Sequence, residues 1–176
     1  MGKHIYHRLK RLSRHGSRLA RDEAGVALIE FALVLPMMLL VFAIIVEGSR
    51  LMIGYQSAIA GVRDATRYLS RIVPVNICTT GGGVAGYTPQ LQTIVAQSLT
   101  GGSIFPGGVT VQAGGVAPAL ACVPGSYRVN PAPVVSVTAL VDITFPFSGI
   151  FTLFGSSFGT TPLTTSVTDR SRVFGS

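Results

Sequence analysis

The sequence predicts an α+β protein in which one long N-terminal helix, membrane-spanning in its front half, packs its back half on a small antiparallel β-sheet. Three stretches carry that expectation. Val26 to Val46 reads VALIEFALVLPMMLLVFAIIV, with Glu30 as its single charge. Beyond it Leu51, Tyr55, Ala58, Val62, Ala65 and Leu69 recur at spacings of three and four, the apolar stripe of an amphipathic helix. In VVSVTALVDITF (134–145), Val135, Val137, Ala139, Val141, Ile143 and Phe145 alternate with polar residues, as in a strand with one buried face.

The 21 residues from Val26 to Val46 make a helix of about 31 Å, enough to cross a hydrocarbon core. Seven Lys and Arg precede the run, whereas Arg50 and Arg63 are the basic residues in the twenty that follow it. That asymmetry keeps the N-terminus in the cytoplasm and puts the C-terminal part outside. A secretory signal peptide fits poorly, because its apolar region is 7–15 residues. The run also ends in VEGSR, with no A-x-A triplet before Ala58-Ile59-Ala60.

The same distribution argues against nucleic acid as a partner. Of the formal charge of +7, residues 1–25 hold +5 and residues 26–176 only +2, so the basic character belongs to a leader rather than to a binding face. Hydrophobic residues are 48% and charged residues 12%, low for a freely soluble chain.

The amphipathic helix is expected to run to about residue 72 and to stop before Pro74. Arg63, Arg67 and Arg71 line another face at i+4, either as a solvated row or against a partner subunit or lipid phosphates. TPQLQTIVAQSL (88–99) reads as a second helix, with Thr88 as cap and Pro89 at its first position. GGGVAG (81–86) formally satisfies G-x-G-x-x-G. No clear strand leads into it and no acidic residue lies between Asp64 and Asp142, so it reads as a loop. GVTVQ (108–112), SYRV (126–129) and PLTTSVTDR (162–170) are further strand candidates between Gly/Pro turns. The uncharged FSGIFTLFGSSFG (147–159) is either core or an apolar patch for a partner. Cys78 and Cys122 both fall on the outer side of the span, where one disulfide can persist; two free buried thiols are the alternative.

Gly25, four apolar residues and Glu30, behind a basic leader, are similar to the processing site of type IV pilin-like precursors. EFALVLP (30–36), EGSR (47–50), VRDATRY (62–68) and the C-terminal ITFPF (143–147) resemble the TadE/TadG-like pilus-assembly family. The resemblance implies a pilin-like fold and cleavage between Gly25 and Val26 by a membrane-embedded prepilin peptidase. It also implies subunit docking through Glu30, paired with the new amine of Val26 or with a neighbouring subunit's amine. The alternative for Glu30 is a first-turn residue favoured by the helix dipole and close to interfacial water. Pro36 deletes one backbone hydrogen bond inside the span, giving either a flexible point used on leaving the bilayer or a harmless kink.

Chemistry is not expected. Residues 26–176 contain no His, Lys or Trp, so a serine or cysteine nucleophile would lack its usual base. No His/Cys cluster has zinc spacing, and no cofactor or metal is expected.

The expected organisation is a cleaved leader (1–25), the span (26–46), its amphipathic continuation (47–72) and an α+β head (73–176). The function that follows is a pseudopilin or minor pilin that assembles into or initiates a tight-adherence-type pilus or related filament, either as a single-pass protein of a bacterial inner membrane or carried into an extracellular pilus. Its expected partners are other pilin-like subunits, prepilin peptidase, the inner-membrane assembly platform and membrane lipid. The rival is an envelope scaffold that stays anchored and never enters a filament.

Overall fold

A computed structural model describes residues 23–97, 107–152, 155–157, 159 and 161–175, with side chains from residue 25 onward. Apart from its last residues, the basic leader lies outside the described residues, as do Leu153, Phe154 and Phe158 of the apolar loop. The chain divides into two compact units, Met1–Ile44 and Ile45–Ser176, and helix α1 (Glu23–Ile72) contributes to both.

α1 is 50 residues long and continues through Pro36, whose missing N–H costs one bond of the ladder. It ends at Ile72, two residues before Pro74, as the sequence predicts. From Val26 to Leu39 its apolar side chains are exposed on every side: Leu28 is 71% and Leu33 72% accessible. In the second unit α1 is amphipathic. Ala58, Val62, Ala65 and Leu69 are fully buried, and the stripe extends to Val73. The expected stripe begins at Leu51 and Tyr55, but Tyr55 is exposed and Leu51 only half-buried. Gly54 takes the buried position there, and a Cβ on it would stand 2.6 Å from Val109 Cγ2. A strand thus passes too close to the helix for a larger residue to fit without a shift.

The sheet that covers this stripe is antiparallel, in the order β1-β2-β3, from β1 (Val109–Val123), β2 (Ala132–Ile143) and β3 (Leu163–Arg172). β2 alternates as the sequence predicts, with Val135, Val137, Ala139 and Val141 buried against α1. Its other face pairs Thr138 with Thr168 at 2.8 Å and Asp142 with Thr164 at 2.6 Å, so the outward side of the sheet is polar and internally bonded.

β1 is longer than the expected 108–112, and residues 126–129 belong to the turn region that follows it rather than to a strand. Between the pairs Val111↔Val141 and Val116↔Ala139 the register shifts, so Gln112 to Gly115 stand opposite Leu140 alone. Gly114 adopts φ +70°, and a Cβ on Gly115 would meet the Gln112 carbonyl at 3.0 Å, which is why two glycines stand at this bulge.

Two short α-helices lie between α1 and β1. α2 (Ile77–Thr80) carries Cys78, and α3 (Thr88–Ala96) buries Leu91 and Val95. α3 starts at Thr88 itself, with Tyr87 in the cap position, so the expected Thr88 cap is displaced by one residue. The Thr88 hydroxyl instead donates to the Ala85 carbonyl at 2.8 Å. At the far end of α1, the Phe174 N–H donates to the Ser70 carbonyl at 2.8 Å. This supplies a partner for one of the last helical carbonyls, which have none inside the helix.

Candidate assembly site on the long helix

The residues singled out for processing and docking lie in the first unit. Gly25 lies on α1 close to the first described residue, Glu23, with nothing within 4 Å of where a Cβ would project.

Val26 is exposed and lies one turn from Glu30, on the same face. Glu30 is itself exposed and has no ion pair among the described residues.

The second unit contains a polar pair that sequence reasoning touches only as part of a motif. Glu47 is buried, and its Oε1 accepts the Phe147 backbone N–H at 2.7 Å, across 100 residues of sequence. One turn on, Arg50 Nη2 donates to the Gly107 carbonyl. Next to that contact Thr144 donates its N–H to the Gly108 carbonyl at 2.6 Å, while Gly108 adopts φ +95° with no room for a Cβ beside the Thr144 carbonyl. Glu47 and Arg50 thus fasten two loops to α1 immediately after its apolar run. The available signal is a carboxylate directly after Val46 with an arginine three residues later.

At the opposite end of the head Cys78 and Cys122 form a disulfide, with Cα atoms 5.8 Å apart, tying α2 to β1. Arg63, Arg67 and Arg71 are exposed along α1, and Arg67 pairs with Asp64 at 3.7 Å. At about two-thirds exposure on both sides, that pair is worth little.

The described part of α1 from Gly25 contains one stretch long and apolar enough to cross a membrane, with mean hydropathy 2.7 over its best window. Residues 25–67 match the family model described as TadE-like protein, the pattern of a TadE/TadG-like pilus-assembly protein. The matched stretch begins at Gly25 and covers the span together with most of the amphipathic continuation. No curated protein and no solved structure matches the chain.

Proposed function

We propose that this TadE-like chain is a pseudopilin or minor pilin, cut after Gly25 by prepilin peptidase and assembled into or at the base of a tight-adherence-type filament. One observation supports this reading above the others: Glu30, the only charge in the apolar run, is exposed and without an ion pair among the described residues, five residues beyond Gly25. A charged side chain well inside a span costs about 3 kcal/mol, so an unmatched carboxylate there needs a partner. Cleavage creates one, the α-amine of Val26. Offered by a neighbouring subunit, that amine sets the axial register between two otherwise featureless apolar helices. The work is non-covalent: α1 packs, Glu30 fixes position, and the head is presented outward.

Intact mass and co-purification test it together. Wild type should yield a chain beginning at Val26, and a bulky residue at Gly25 should leave the precursor uncut. Glu30→Ala should still insert and still be cut, but it should no longer co-purify with other pilin-like subunits. Normal assembly of Glu30→Ala would remove the docking role. A wild-type chain that keeps its leader in cells with active peptidase would favour the anchored scaffold instead.

A further inference from the structure

The charges of the second unit are unevenly placed. Arg67 and Arg71 near the end of α1, Arg128 in the turn after β1, and Asp169, Arg170 and Arg172 on the last part of β3 all gather at the end where α1 stops. The opposite end is where β1 starts, β2 finishes and β3 begins. There the sequence runs from Ile143 to Thr168 without a charged side chain. Glu47, Arg50 and Asp142 are the charged groups nearby, and each is engaged: by Phe147 N–H, Gly107 O and Thr164 Oγ1.

This end, whose three charged groups are all hydrogen-bonded within the head, presents apolar side chains outward. Phe147 is 39% and Leu163 53% accessible, and Ile150 is half-buried on the short helix α4 (Ser148–Thr152). The bond to Glu47 fixes its level along α1, because Glu47 follows directly on Val46, the last residue of the apolar run.

We propose that this end of the head, built on Phe147, Ile150 and Leu163, is a membrane-docking surface that lies in the headgroup layer of the bilayer. The inference rests on reading Val26–Val46 as a membrane span. If the hydrocarbon ends near Val46, whatever is hydrogen-bonded to Glu47 is held at the boundary, where aromatic and aliphatic side chains bury favourably and charge is disfavoured. Arg50, one turn further out, is at the level of lipid phosphates. Tying the Phe-rich loop to α1 there gives the head a second foothold and restricts its swing about a single helix.

The chain has no tryptophan, so each single Trp variant carries one reporter. Full-length Phe147→Trp, Phe42→Trp and Phe174→Trp would be reconstituted in phosphatidylcholine–phosphatidylglycerol vesicles with and without brominated acyl chains. Phe174 is bonded through its N–H to Ser70, about 35 Å along α1 from Glu47. The expected result is strong quenching of the Phe42→Trp variant. Bromines placed near the headgroups should remove about half the emission of Phe147→Trp. Phe174→Trp should lose none. Ile150→Trp, a second reporter on α4, should follow Phe147→Trp. Quenching of Phe42→Trp without quenching of Phe147→Trp or Ile150→Trp overturns the docking surface and leaves the span standing. Absence of quenching in Phe42→Trp overturns both. A blue-shifted emission from Phe147→Trp that depends on protein concentration and ignores bromine overturns the lipid contact and assigns this end to a neighbouring subunit.

Discussion

The first and second halves of α1 share one backbone geometry and differ in what surrounds them. Residues 26–44 expose Leu28 and Leu33 by more than two-thirds, whereas Leu69 of the same helix is wholly buried. A helix apolar all round needs lipid or other helices on every side, and a helix apolar along one stripe needs one covering layer. The head supplies that layer with β2 and lets Ser70 and Thr66 stay in the buried stripe by bonding back to Arg67 and Val62 carbonyls. Hydrophobicity alone therefore does not say where a residue of α1 contributes stability. The covering layer does.

Three perturbations test this contrast. The largest effect is expected at the disulfide. Replacing Cys78 and Cys122 by serine opens a loop of 44 residues and should cost the head about 4 kcal/mol on loop-entropy accounting. Membrane association through residues 26–44 should be unchanged, as read by denaturant titration beside vesicle flotation.

Next comes a matched pair of truncations. Leu69→Ala should destabilise the head by about 3 kcal/mol, because its full burial leaves a cavity. Leu33→Ala, the same chemical change in the first half of α1, should leave the unfolding midpoint of the head unmoved. Equal effects at the two sites would show that the first half shares the core of the second, and the contrast would fall.

Glu47→Ala is expected to be the smallest of the three, at about 1–2 kcal/mol, since it strands the Phe147 N–H at a partly buried site. Its clearest sign should be local. Amide exchange at Phe147 should accelerate while the amides of β2 stay protected.

Much of this architecture can be read from the residues alone. Pro74 marks the end of α1, and a mainly alternating pattern marks β2, because both are local signals of backbone and pleat. β1 is legible only at its start. Gly114, Gly115 and Pro118 read as turn residues, yet β1 is an edge strand, where a missing N–H is tolerated, and the glycines belong to a bulge. Tyr55 falls on the expected stripe but points outward, because the close approach of Val109 at Gly54 shifts the buried face. Of the candidate assembly site, Gly25 and Glu30 stand out by their contrast with apolar neighbours. The Glu47–Phe147 bond does not, since periodicity carries no information about a partner 100 residues away.

The bulge in β1 has a consequence for covalent chemistry at the other end of the strand. Before it, odd-numbered residues of β1 lie on the α1 side of the sheet, opposite Ile143 and Val141; after it, even-numbered residues do, opposite Ala139, Val137, Val135 and Pro133. Five steps on one strand are set against two on its neighbour, and an odd count against an even one reverses parity. An unbroken β1 would have turned Val123 toward the helices and sent the Cys122 sulfur to the far side of the sheet, out of reach of Cys78. Gln112 to Gly115 thus act as a phase shifter. Whether this protein carries a bridge or two loose thiols is settled by arithmetic, several residues upstream of the cysteine concerned.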